Sequence, residues 1–114
     1  MKLHATPRES SGVVIIDLSG RVTLGEGSAL LRETLRDLLD KGHRKMVLNF
    51  ADVDYIDSSG IGELITGYTT VRRAGGELKL LNLTKRVNDI LQITRLYTVF
   101  DIHNEEESAV ASFR

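Results

Sequence analysis

The strongest constraint on the fold is a change of hydrophobic period near the middle of the chain. Lys45-Met46-Val47-Leu48-Asn49-Phe50 is a short apolar run of the length that fits a sheet interior. Ile61, Leu64, Ile65, Tyr68 and Val71 then recur at helical spacing and form one apolar stripe. Between strand and helix lies Val-Asp-Tyr-Ile-Asp-Ser-Ser-Gly-Ile-Gly, residues 53–62. In this stretch Asp57, Ser58 and Ser59 can accept hydrogen bonds from the unpaired amides of a first helical turn. Gly60 and Gly62 would leave that turn bare, with its backbone and hydroxyls open to an approaching molecule. A helix N-terminus favours negative charge through its dipole and free amides, so a serine placed there is a seat for a phosphoryl group.

The rest of the chain repeats the alternation of strand and helix. Leu3 to Thr6 predicts a short edge strand in a hairpin with the strand after it, and Ser10-Ser11-Gly12 is the turn between them. Val13 to Leu18 is apolar and rich in β-branched residues, a strand ending at Ser19-Gly20. Arg21 to Gly27 reads as a loop feeding a helix from Ser28, with Leu31, Leu35, Leu38 and Leu39 inward and Gly42 as the stop. Leu30 falls off that stripe, at the rim of the core or facing a partner. The central helix is expected from about Ser58 to Arg73, before Gly75-Gly76. Glu77 to Leu81 predicts a further core strand, and Thr84 to Ile93 a helix with Val87, Ile90 and Leu91 inward. Tyr97 to Ile102 reads as a last strand or extended segment. Asn104 is the expected cap of a terminal helix that starts with Glu105-Glu106-Glu107 and docks through Ala109, Val110 and Phe113. Such alternation predicts an α/β fold: a mixed, mostly parallel central sheet of four to five strands with helices packed against it.

A length of 114 residues suits one domain, spanning 1–114, with a single core. The net charge of −1 gives no general affinity for nucleic acid or anionic membrane. Cysteine is absent, which removes disulfides and thiol chemistry. The opening residues lack the apolar core of a signal peptide, and no apolar run is long enough to span a bilayer. The expectation is a soluble, cytoplasmic domain with no membrane insertion.

Catalytic and nucleotide motifs fail on inspection. Gly62 to Thr69 has P-loop spacing, but Tyr68 stands where lysine belongs and the stretch lies inside a helix. Gly60-Ile61-Gly62 lacks the third glycine of a dinucleotide fingerprint, where Ile65 stands instead. Neither Ser58 nor Ser59 has glycine two residues before it, as a nucleophile elbow requires. His4, His43 and His103 have no metal-ligand spacing. The sequence therefore predicts no enzyme, no metal and no cofactor. The run Glu105 to Glu107 reads as a solvated helix start.

Residues 53–62 resemble the signature of the STAS domain, as found in bacterial anti-sigma-factor antagonists. The resemblance extends through the opening hairpin, Leu18-Ser19-Gly20, Val47 to Phe50, Gly75-Gly76 and Leu96 to Phe100. It implies a regulatory binding protein that engages an anti-sigma factor with serine kinase activity and is switched off by phosphorylation at Ser58. It also implies a metal-dependent serine phosphatase that resets the switch. Asp57, Ser58, Ser59, Gly60, Ile61, Arg21 and Thr23 are the partner-binding candidates. The alternative is a phosphorylation-independent STAS adaptor in a transporter or signalling assembly. A homodimer through the edge strand near Leu3 is also open. Two positions depart from the family pattern. Arg21-Val22-Thr23 stands where an acidic loop residue is frequent, and Arg95 stands where glycine often precedes the leucine that is here Leu96.

Overall fold

A computed structural model describes residues 2–113. The strands are β1 (His4–Ser10), β2 (Val13–Val22), β3 (Lys45–Ile56), β4 (Glu77–Leu81) and β5 (Ile102–His103). The helices are α1 (Glu26–Asp40), α2 (Ser58–Arg73), α3 (Lys85–Ile93) and α4 (Glu106–Ala111), and a 3₁₀ turn spans Leu96–Thr98. The sheet order is β1-β2-β3-β4-β5, with β1 antiparallel to β2 and every later pair parallel. The mixed, mostly parallel α/β architecture expected from the alternation is the one observed.

Each new strand is added on the same side of the last, so right-handed crossovers deliver their helices to one face of the sheet. On that face Val14, Ile16, Leu18, Met46, Leu48, Phe50, Leu78 and Leu80 pack against α1, α2 and α3 in the main core. The opposite face is thinner: Val13, Ile15, Val47 and Leu81 are covered by Ala109 and Val110 of α4, with Phe113 beside them. Period-two alternation in the strands produces this division. Leu30 packs partly buried against the main core and so rims it.

Both long helices end by the same device. The amide of His43 bonds to the Leu38 carbonyl and that of Gly42 to Leu39; Gly76 and Gly75 do the same to Val71 and Arg72. Gly42 and Gly75 hold φ of 93° and 87°, which completes a Schellman stop in each case.

Several boundaries differ from expectation, each for a local reason. β2 does not stop at Ser19-Gly20 but continues to Val22. Register shifts on either side of Gly20 let the strand bend and go on pairing with Val53, Tyr55 and Ile56. The expected loop from Arg21 shrinks to Thr23–Gly25, and α1 starts at Glu26 rather than Ser28. β3 likewise passes Phe50 and reaches Ile56; at its tip only Val53 and Ile56 point inward while Asp52, Asp54 and Tyr55 face out. Ile65 lies on the flank of α2, 38% exposed, and Gly67 and Leu64 take the buried stripe instead.

The last strand expected over Tyr97 to Ile102 forms only at its end, where Ile102–His103 pairs with β4 as β5. Arg95 adopts a left-handed conformation and starts the 3₁₀ turn, leaving only Phe100 buried, edge-on to Tyr68 with centroids 5.1 Å apart. Asn104 is not the cap of α4. Glu105 occupies that position without a side-chain cap bond, because the helix begins one residue later than the charge run suggested.

Candidate functional site

The C-terminal ends of β2 and β3 lie side by side, and the chain leaves each through a tight corner. From β2 it passes through Thr23–Gly25 into α1; from β3 it turns at Asp57 directly into α2. The Asp57 amide donates to the Val22 carbonyl at 3.2 Å, which fastens one corner to the other.

Asp57 is the N-cap of α2, with extended backbone (φ −101°, ψ −176°). Its Oδ1 accepts from the Gly60 amide at 2.8 Å and from Ser59 Oγ at 2.8 Å. Its Oδ2 accepts from the Leu24 amide at 3.0 Å, across the gap to the neighbouring loop. These donors, the Gly60 amide first, then Ser59 and Leu24, hold the carboxyl below the ordinary aspartate range and keep it ionised. Of the three side chains expected to accept from first-turn amides, Asp57 is the one that caps the helix. The tie to Leu24 had no signal in the sequence, since it joins residues 33 positions apart.

The two serines differ sharply. Ser59 is half-buried: it donates to Asp57, and its oxygen lies 3.2 Å from Ser28 Oγ, which itself donates to the Thr23 carbonyl at 2.9 Å. Ser58 is exposed, and among the described residues its hydroxyl makes no hydrogen bond. One hydroxyl is tied into the scaffold and the other faces outward.

Gly60 has a role other than leaving the turn bare. A Cβ there would overlap the Val22 carbonyl and come within 2.7 Å of Ile56 Cγ1, so the absence of a side chain lets α2 sit down on the β2 corner. Gly62 has nothing within 4 Å of an added Cβ and does open the surface. Ile61 points inward at 9% exposure and belongs to the main core. Thr23 contributes its carbonyl, which also accepts from the Ser28 amide. Arg21 is exposed and pairs in register with Tyr55 on the outer side of the same corner. Leu24, absent from the sequence-based candidates, is 80% exposed beside Asp57.

An N-terminus with spare amides was expected to welcome an anion. In the structure Asp57 already occupies the Gly60 amide, so that end of α2 is partly spent. No reversal of strand order occurs among the parallel strands, and it is at such reversals that α/β sheets open a crevice for small ligands. An open groove of about 730 Å³ lies elsewhere, lined by Ser10, Ser11 and residues 105–108 among others.

A second polar constellation sits at the α4 side. His103 Nδ1 is 2.8 Å from Ser108 Oγ and its Nε2 is 2.9 Å from Asp101 Oδ2, while Lys79 Nζ approaches the same carboxylate oxygen at 3.0 Å. Serine, histidine and aspartate in a line suggest a nucleophile. Here, however, the aspartate is already paired with lysine, and Ser108 stands beside Glu105–Glu107, whose charge opposes an oxyanion. The arrangement clips α4 to β5.

Fold and corner together define a mixed α/β module with an exposed serine, Ser58, at the start of α2. Residues 4–109 match the STAS domain family, and the chain belongs to it. BtrV of Bordetella bronchiseptica is 32% identical over 114 residues, covering 100% of this chain and 96% of that protein. The anti-sigma-B factor antagonist of Bacillus subtilis is 28% identical over 110 residues, covering 96% and 99%. Among solved structures, SpoIIAA of Bacillus in its phosphorylated form superposes with a TM-score of 0.73 at 20% identity, covering 97% of this chain and 100% of that one. Within the described residues no helix is long and apolar enough to cross a membrane.

Proposed function

We propose that this protein is a cytoplasmic anti-sigma-factor antagonist, a binding protein without catalytic activity of its own, whose Ser58 is phosphorylated by the anti-sigma factor it binds. The observation that carries the reading is the contrast between the two serines. Ser58 presents a free, exposed hydroxyl at the start of α2, whereas Ser59 is held by Asp57 and Ser28. The name of the Bacillus subtilis relative and the existence of a phosphorylated form of SpoIIAA support it.

In the transfer, Ser58 Oγ bonds to the γ-phosphorus of ATP as the bond to the bridging oxygen breaks and ADP departs. The hydroxyl proton goes to a base on the kinase. Asp57 is unsuited to take it, because three donors hold its carboxylate in the ionised form. A metal-dependent serine phosphatase returns the hydroxyl by hydrolysis.

Phosphorylation adds roughly −1.5 to −2 charges beside the ionised Asp57. At a closed interface, like-charge contact and desolvation each cost a few kcal/mol, and about 1.4 kcal/mol is a tenfold loss of affinity. Repulsion at the corner is sufficient for release, with no refolding of the antagonist.

Incubation with the cognate kinase and ATP, followed by mass spectrometry of the Ser58 peptide, tests the assignment. A single phosphoryl group on Ser58 is expected; an unmodified Ser58 peptide under an active kinase would refute it. Ser58→Ala should stay binding-competent and Ser58→Glu should bind at least about tenfold more weakly. Equal affinities would count against control by charge.

A further inference from the structure

Leu24 carries an exposed side chain on a backbone that is held in place. Its amide is donated to Asp57 Oδ2 at 3.0 Å. On one side of it the Thr23 carbonyl accepts both the amide and the hydroxyl of Ser28, at 3.0 and 2.9 Å. On the other, Gly25 turns at φ 95° and its carbonyl receives the Ala29 amide at 3.0 Å. The three-residue connection is therefore fixed at each of its residues, while the side chain at its apex is 80% exposed. Ile93 is equally exposed, at 82%, but it ends α3, which is not part of the Ser58 corner.

A rigid apolar apex is what a binding hot spot requires. Its backbone entropy is already lost in the free protein, so burial of the side chain counts almost in full toward affinity. The apex is joined to Ser58 through one carboxylate, that of the residue preceding it. We propose that Leu24 is the apolar anchor on which the serine kinase partner seats itself, and that Asp57 is the latch holding this anchor in register with the Ser58 hydroxyl. The inference rests on the partner reading given above and deepens it. The occupant is the kinase itself, because the anchor and the phosphoacceptor form one continuous corner. Its complementary surface is an apolar pocket beside the mouth of its ATP site.

Latch and anchor are tested separately. For the latch, amide hydrogen exchange followed by NMR requires no partner. In the intact protein the Leu24 amide should be protected. Asp57→Ala, which has no side-chain acceptor, should abolish that protection while Leu64 and Val71 in α2 keep theirs. Unchanged exchange at Leu24 in this variant overturns the latch.

For the anchor, the cognate anti-sigma factor is titrated, with ADP bound, against the wild type, Leu24→Met and Leu24→Ser. Leu24→Ser should weaken binding by about tenfold to a hundredfold, and Leu24→Met by less than about threefold. Thermal unfolding of both variants should match the wild type, since the side chain contributes little to the core. If Leu24→Ser binds as tightly as the wild type while Ser58 is still phosphorylated, the anchor is wrong and the switch stands. If the wild type is neither bound nor phosphorylated, the partner reading fails and the anchor with it.

Discussion

A methyl group at position 60 would have no room. It would press on the Val22 carbonyl and on Ile56, both fixed in the sheet. Gly60→Ala should therefore destabilise the fold by about 1–3 kcal/mol, even though alanine is the better helix former. Two residues on, an added Cβ meets nothing, so Gly62→Ala should stabilise by about 0.5–1 kcal/mol. Urea midpoints that moved the same way for the two variants would contradict this division of roles. Arg95 gives a third case. It holds φ 61° and ψ 19°, a left-handed conformation that costs a side-chain-bearing residue about 1 kcal/mol. Glycine, frequent in the family at this point, carries no such cost. Arg95→Gly should raise stability by a few tenths to about 1 kcal/mol, because its more flexible unfolded chain offsets part of the relief. A fall in the urea midpoint would show that the arginine side chain contributes more than its backbone costs.

The elements divide into those written in local pattern and those that depend on distant contacts. The bounds and glycine stop of α2 were legible, since they are nearest-neighbour signals, while its stripe was legible except that Ile65 lies on the flank and Gly67 is buried. The tips of β2 and β3 were not, because beyond Gly20 and Phe50 the strands carry polar residues toward solvent and are held by pairing with each other. α4 depends still more on remote partners. Arg8 in β1 bonds to Asp17 in β2 at 2.6 Å and to Glu106 in α4 at 2.6 Å, tying the short helix to the sheet. Its guanidinium holds both carboxyls below their ordinary range. A depressed carboxyl contributes stability that is present above its unfolded pKa and is lost as pH falls through the folded value. The stability difference between wild type and Arg8→Ala should thus be fully present at pH 7 and shrink below about pH 4. These side chains are 38–41% exposed, so solvent screening limits the difference to about 1 kcal/mol or less for each pair. Urea titrations at pH 7 and pH 3 read it directly; a gap that widened in acid would refute the sign.

At the scale of the molecule, the sheet separates a thick helical layer from a thin one, and Ser58 stands at the exposed tip of the thick one, beside the strand ends. Such placement predicts that phosphorylation leaves the body unchanged. Amides of Leu64, Val71 and Leu80 should keep their exchange protection in the phosphorylated protein, and melting of α2 would overturn release by local repulsion. The position of the serine on a strand-to-helix corner was legible from the period change alone. Its companion at position 24 was not, because a hydrogen bond between two loops leaves no trace in either one's pattern. One carboxylate closes both the first turn of α2 and the link from β2 to α1. Lengthening that link by a single residue would therefore pull the amide off Asp57 and leave one oxygen of a cap more than 30 positions away without its partner. With that tie kept, the side chain at the apex can be exchanged without altering its reach.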